Sequence, residues 1–473
     1  MLDARRIVDI INRLGYKTYK FDYSIYSSYI LNCYMWYMGF DPKFHRYKLF
    51  NGLDKVTLEK ARLNMAKRVC EDLASLTVND NISFEIEDAE VREFLLGNNE
   101  MTGVLGQNNF WSNSAKNYEI TCALGTGAYE VVVEDLLMVK DQIVGYENSK
   151  LKIVTHNAMN IIPLSWDANG KITEVAFIDQ YKEKEDTLVA MRLHILDEHK
   201  QYKIINKKLK VFGTNNVNKY VYMDDSTLLS EFNTGSNIPW FSILKLPIIN
   251  NFYLNTPMGA SVYGNAIDIL KNIDDAFNIL STEYKYGTKK IFYHKNLLQK
   301  DDKGRPLAPD DINKSVFYYM GDDMDANTDG NNKIQEFNPN LRIDEISKGI
   351  ESSLNYLSVM CGLGNSYYKF SAGSVKTATE VISENSSMYR NIHKNQLEVE
   401  RCMLDIFKSL IYASNYIFKT NMSIDTKIKV VFDASIIEDK VAIRQRDLQE
   451  VQLGIMTKEE YRAKYYDGDR RDS

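Results

Sequence analysis

The sequence predicts an α+β protein, and three observations predict it. Apolar residues recur at helical spacing through the first quarter. From 119 to about 250, β-branched and aromatic runs alternate with turn residues. From 256 helix returns, and it closes with one helix too long for an ordinary compact domain. A chain of 473 residues, 44% hydrophobic and 26% charged, has room for two or three domains and a sizeable core. Aromatic residues make up 12%, with 31 Tyr. Tyr-rich surfaces often face partners, because the ring is amphipathic.

Each element has its own local reason. Ile7, Ile10, Ile11 and Leu14 share one helical face, and "SSYILNCYMWYMGF" (27–40) is a second apolar helix stopped at Gly39. Residues 58–76 read as a third, with Leu63, Ala66, Val69, Cys70 and Leu73 as its stripe. "ISFEIED" (82–88) reads as strand, then helix over 89–98 and more helix to about 117. Strands follow at 129–137, 150–156 and 172–181, with "DANG" (167–170) as a hairpin turn, and again at 189–196 and 201–213. Helix resumes over 263–284, where Ile267, Leu270, Ile273, Ala276, Phe277 and Leu280 recur at three and four, and Gly287 ends it. Residues 289–340 read as short strands and turns, and 343–364 as helix with a glycine stop.

A loop, "GNSYYKFSAGSVK" (364–376), comes next. After it the helical period runs unbroken to about 419, about 45 residues or roughly 65 Å. A helix of that length needs neighbours to cover its faces and points to an assembly. "KIKVVFD" (427–433) reads as strand. A helical hairpin follows, split at Gly454 and restarted by a capping box, Thr457 with Glu460 three residues on.

Several function classes are excluded by what is missing. There is no GxxxxGK[ST], HExxH, GxSxG or GxGxxG, so no ATPase, protease, hydrolase or dinucleotide site is expected, and no enzyme. "GTGAY" (125–129) lies between strands and reads as a turn. The six histidines are scattered and are expected to be structural or surface residues, with no metal bound. Cys33, Cys70, Cys122, Cys361 and Cys402 are odd in number with no CxxC, which predicts reduced thiols in a cytosolic protein. The first residues lack a signal-peptide core. The most apolar run, 238–249, is too short to span a bilayer and is broken by Lys245 and two prolines, so no membrane segment is expected.

One motif match is deceptive. "DANTDGNNKIQE" (325–336) fits an EF-hand loop, with Asp325, Asn327, Asp329, Gly330 and Glu336 in place. The flanks read as strand and turn, where an EF-hand needs helices, so a solvated Asp/Asn/Gly turn is the better reading. A calcium-binding protein using 325–336 stays as one alternative. A nucleic-acid-processing enzyme is another, and it would need a carboxylate cluster that the sequence does not display. The net charge of −6 is not that of a protein gripping nucleic acid over a large face. Lys369 and Lys376 in a small-residue loop nevertheless suit sequence-independent contact with phosphates.

The order of parts resembles the portal protein of tailed bacteriophages, in the branch from phages of Gram-positive hosts. The residues that carry the resemblance are "TPMGASVYGNAIDIL" at a helix start, an insertion of strands, a second helix, a small-residue loop, and a very long helix with "KTATEV" near its start. The opening "YMWYMGFDPKFHRY" and "MAKRVCEDLASL" and the closing "EDKVAIRQRDLQEVQLGIMTKEEY" resemble the same branch.

The resemblance implies a portal fold: an α/β wing (1–255), stem helices (256–287 and 342–361) flanking a small α/β clip (288–341), a tunnel loop (362–375), a long wing helix and closing strand (376–433), and a short helical crown (434–473). It implies a homo-oligomeric ring, usually of twelve subunits, at one capsid vertex. The ring would be made in the host cytoplasm and kept in the virion, and would need no cofactor. Implied partners are double-stranded DNA without sequence specificity, the terminase large subunit, the head–tail adaptor, and the major capsid and scaffolding proteins. Tyr367, Tyr368, Lys369, Phe370, Ser371, Ser374 and Lys376 would meet DNA. Lys300, Asp301, Asp302, Lys303 and Arg305 would dock terminase and then the adaptor.

Overall fold

The structure, a computed structural model, describes residues 4–16, 23–50, 52–78, 82–98, 102–139, 142–145, 149–183, 186–212, 219–223, 229–254, 256–294, 302–303, 317–320, 334–365, 367–368, 378–432, 440–454 and 456–465. The chain opens with helices α1 (Ala4–Arg13), α2 (Tyr23–Tyr37) and the short α3 (Pro42–His45). Asp41 caps α3 by accepting the Lys43 N–H. An exposed hairpin follows, β1 (Arg46–Phe50) with β2 (Lys55–Glu59). Then come α4 (Met65–Thr77), β3 (Ser83–Ile86), α5 (Ala89–Leu96), α6 (Val104–Gln107) and α7 (Phe110–Leu124). Helices α2, α4 and α7 pack together around Cys33, Val69, Cys70, Leu73 and Cys122, all excluded from solvent.

The strand region holds β4 (Thr126–Glu134), β5 (Leu137–Val139), β6 (Gln142–Gly145), β7 (Lys150–Asn157), β8 (Ile161–Trp166), β9 (Ile172–Glu183), β10 (Asp186–Leu196), β11 (Tyr202–Phe212), β12 (Lys219–Met223), β13 (Glu231–Asn233) and β14 (Phe241–Lys245). Strands β8 to β12 form an antiparallel meander in sequence order, with β13 added beside β11. A second sheet has the order β14-β4-β7. Beyond it lie α8 (Ile267–Tyr286), β15 (Lys290–His294), β16 (Phe317–Met320), β17 (Ile334–Phe337), α9 (Ile343–Met360), α10 (Ala378–Phe418), β18 (Ile428–Val431), α11 (Lys440–Gln452) and α12 (Lys458–Tyr465). The 41 residues of α10, roughly 60 Å of helix, lie across β14 and β4 and against α4. Ser409 donates to the Pro239 carbonyl and Tyr412 to that of Thr234. Strand β18 pairs with β3, Val430 opposite Phe84, so the strand that follows the long helix closes against the first quarter of the chain.

One buried carboxylate joins the two sheets. Glu130 on β4 accepts from His156 Nε2 of β7 at 2.7 Å, from His194 Nε2 of β10 at 2.8 Å and from Arg192 Nε of β10 at 2.8 Å. Arg192 also reaches Asp179 on β9 at 3.2 Å. Because the ionised carboxylate can only accept, both imidazoles donate to it through Nε2. Burial pushes the Glu130 carboxyl up, but the Arg192 guanidinium and the two histidine hydrogen bonds outweigh it and hold it well below the usual carboxylate range. The reading of the histidines as structural holds for these two, and for His45, which is buried against Asp274 at 3.1 Å.

Three local expectations are corrected. Residues 58–63 are not helix: β2 ends at Glu59, and α4 begins only at Met65. The helix-forming residues there lose to tertiary capture, since the Ala61 N–H donates to Asn278 and the Leu63 N–H to Asp274, both on α8. Helix α7 runs past 117 to Leu124, ended by Gly125 in the left-handed region at φ +85°. "GTGAY" is accordingly no turn between strands but that helix cap followed by the start of β4. A Cβ on Gly125 would stand 2.6 Å from the Ala260 backbone, and one on Gly127 2.1 Å from Thr121 Oγ1.

Two outcomes follow from these contacts. Gly125→Ala loses about 1–3 kcal/mol to backbone strain alone, read as a lowered melting temperature. Glu130→Gln removes the shared anion and costs about 3–5 kcal/mol at neutral pH. The depressed carboxyl contributes stability above its unfolded value, and that contribution fades as pH falls through the folded one. Melting curves of the wild type and Glu130→Gln should therefore converge as pH drops below about 4.3. A constant gap down to pH 3 would contradict the role of the charge.

Candidate functional site

Helices α8 and α9 form an antiparallel two-helix stalk. Leu270 and Ile273 on α8 and Ile350, Leu354 and Leu357 on α9 are buried. The stalk is bolted to the first quarter through α8. Asp274 accepts from His45 and from the Leu63 N–H, Asn278 takes the Ala61 N–H, and Lys60 pairs with Asp275 at 2.7 Å. At its far end Arg342 grips Glu283 with both Nε, at 3.2 Å, and Nη2, at 3.0 Å. These hydrogen bonds hold the Glu283 carboxyl below its usual value. Gly287 passes so close to Leu341 that a Cβ would stand 2.1 Å from its Cδ2. Beyond this neck sits a small separate sheet of order β16-β15-β17, with β15 parallel to β16 and antiparallel to β17.

At its other end α9 stops in a fastened turn. The Leu363 N–H donates to the Ser358 carbonyl at 2.9 Å, and Gly362, at φ +76°, donates to that of Val359 at 3.1 Å. Asn391 of α10 donates to the Gly362 carbonyl at 3.2 Å, so close that a Cβ on Gly362 would meet its amide at 2.3 Å. Further along, Tyr368 is 9% exposed, and its hydroxyl donates to Asp72 Oδ2 on α4 at 2.9 Å. Arg68, one turn earlier, holds the same carboxylate at 2.8 Å and 3.1 Å. Burial pushes the Asp72 carboxyl up, against the pull of Tyr368 and Arg68.

The expected site residues divide as follows. Tyr367 is 37% exposed, its ring edge-on to that of Tyr368 at 5.0 Å. Tyr368 points inward. Lys369, Phe370, Ser371, Ser374 and Lys376 lie outside the described residues, as do Lys300, Asp301 and Arg305, while Asp302 and Lys303 are exposed in a turn. Of the EF-hand match, 325–333 also lie outside them. Glu336 belongs to strand β17 and pairs with Lys289 at 2.6 Å, and no helix follows directly. Among the described residues no group of three or more His, Cys, Asp or Glu could hold a metal ion. Nor is any helix among them long and apolar enough to cross a membrane. All five cysteines are free and buried, and burial pushes the Cys361 and Cys402 thiols up to about 12. Sequence reasoning missed Asp72, Arg68 and Asn391. The only local signal was the i,i+4 spacing of Arg68 and Asp72 on one helix face.

A two-helix stalk with a small sheet at one end, and a fastened turn leading to a 41-residue helix at the other, is the arrangement found here. The family model of the phage portal protein, SPP1 Gp6-like, matches residues 27–470. The chain belongs to that family. It is a phage portal protein, a structural component, with mixed helix and sheet. Among solved structures the portal chain is similar to one from the virion of a native gene transfer agent particle, at 10% identity and TM-score 0.39, covering 84% of this chain and 88% of that one. It is similar over the same shares and at the same identity to chains from the neck of the native particle, computed with C12 symmetry, and of the empty particle, with C6 symmetry, at TM-scores of 0.39 and 0.41. No curated protein matches the sequence.

Proposed function

We propose that this portal chain assembles into a ring, of twelve subunits as is usual for portals, at one vertex of a phage capsid, and that double-stranded DNA enters and leaves through its centre. The observation that carries this reading is the family match over residues 27–470. In this reading residues 1–255 and the long helix and strand of 376–433 are the wing, and 434–473 the crown. The stem helices 256–287 and 342–361 line the channel. The clip, 288–341, receives the terminase large subunit and later the head–tail adaptor, through Lys300, Asp301, Asp302, Lys303 and Arg305. The wing meets the major capsid and scaffolding proteins. The ring forms in the host cytoplasm and stays in the virion.

The chemistry of the parts supports it. On α9 the exposed residues Asp344, Glu345, Lys348, Gly349, Ser352, Tyr356, Val359 and Met360 fall on one side of the helix. That side has two acids, one base and otherwise neutral groups, so it offers phosphates little to hold. An overall charge of −6 per chain acts in the same direction. The loop 362–375 forms the constriction, where Tyr367, Lys369, Phe370, Ser371, Ser374 and Lys376 meet the duplex. Lysine contacts there are to phosphate, weak and blind to sequence. Tyr368, whose hydroxyl is engaged with Asp72, acts from within the body.

Negative-stain images of the purified protein, alone and with scaffolding protein present, should show rings with a central hole. Native mass spectrometry that finds only the 54.6 kDa monomer under both conditions would refute the ring. Lys369→Ala and Lys376→Ala should each leave assembly within about 0.5 kcal/mol of wild type. Both should lower packaging efficiency or retention of packaged DNA by the same factor on genomes of different base composition. Unchanged packaging in the double variant would remove these residues from the channel.

A further inference from the structure

The turn between α9 and the loop is held from two sides by two different helices. Its beginning, Gly362, is held by Asn391 of α10. Its end, Tyr368, is held by Asp72 of α4, which is 296 residues away in sequence. The two partners differ in kind. The Asn391 bond is an ordinary amide–carbonyl contact at 3.2 Å. The Tyr368 bond goes to a carboxylate that is itself only 5% exposed, and hydrogen bonds to charged groups are about twice as strong as neutral ones.

The acceptor is also oriented in advance. Arg68 takes Oδ1 with one nitrogen and Oδ2 with another, which fixes the plane of the carboxylate and leaves Oδ2 toward the tyrosine. A phenol with no partner in this setting would carry a desolvation cost that phenylalanine avoids. The tyrosine thus gains from its hydroxyl only while the turn sits against α4. Because α4 packs on α10, the two holding points share one frame, and a shift of one helix along the other must move Tyr368 relative to Gly362.

We propose that Tyr368 is a positioning residue: its hydroxyl on Asp72 ties the 361–368 turn to α4 and so sets where the loop that follows begins. The inference rests on the reading of 362–375 as the tunnel loop. It adds that the wing, through α4, holds that loop's starting point directly, in addition to its connection through α10.

The test uses the full-length purified protein and trypsin, with cleavage after Lys369, the residue next to Tyr368, as the local readout. Cleavage of a briefly opened segment follows the population of the open form. Losing a hydrogen bond to a charged group should raise that population by about tenfold. Tyr368→Phe should therefore be cut about tenfold faster at this site with an unchanged melting temperature, and Asp72→Ala, which also takes the partner of Arg68, at least as fast. The double variant should be no faster than Asp72→Ala, since both changes remove one bond. Tyr367→Phe should be cut at the wild-type rate. Wild-type cleavage of Tyr368→Phe, or a double variant in which the two effects multiply, overturns the proposal. So does a fall in melting temperature with cuts throughout the chain, which would make the hydroxyl a general core contact. DNA plays no part in this assay, so it is separate from the portal reading. Faster cleavage together with normal packaging by Tyr368→Phe supports the tie to α4 and counts against the tunnel-loop role.

Discussion

The carboxylate of Glu130 is the interaction on which the body of the molecule depends. It sits on the central strand of one sheet and is held by a histidine from that sheet and by a histidine and an arginine from the other. A buried ion has to be matched from every side, and a partial set costs more than none. The two sheets therefore have one relative placement, in which Glu130, His156, Arg192 and His194 meet. The long helix lies across β14 and β4 of the Glu130 sheet, so its course is referred to the same point.

The stalk is positioned by a different device with the same logic. Side chains of α8 capture main-chain donors of an extended segment: Asp274 takes Leu63 and Asn278 takes Ala61. Backbone N–H groups that a helix would have used internally become an attachment strip. Asp274 is further fixed by His45, itself fully buried. The stalk is thus fastened through α8 to the segment just before α4, and its far end is closed by Arg342 and Glu283. The fastened turn at 361–368 uses α4 again, through Asp72. One helix of the first quarter therefore adjoins both the segment that seats the stalk and the turn that starts the loop.

How much of this was legible in the sequence follows the range of the forces involved. The meander, the DANG turn, the stalk helices and α10 were all readable, because periodicity and turn chemistry act over a few residues. So was the restart of the closing hairpin, where Thr457 and Glu460 form the expected reciprocal cap. The segment 58–63 was misread because its residues favour helix locally while their donors are claimed from more than two hundred residues away. "GTGAY" was misread because its glycines answer to close approach by Ala260, Gly259 and Thr121, which no local pattern announces. For the candidate site, Lys369 and Lys376 lie outside the described residues, and the attachment of the segment before them, through Tyr368 to Asp72, was not legible.

The sequence by itself determined the kinds of element, their order, and a resemblance that rests on that order. Each of these is written in spacings of a few residues or in the succession of segments. Only the tertiary structure decided that Tyr368 turns inward to Asp72, and that Glu130 binds His156, Arg192 and His194. The physical reason is that a buried polar group takes whichever partner folding brings within about 3 Å. Nothing in the composition of a strand or a loop encodes an acceptor that arrives from a helix 296 residues away.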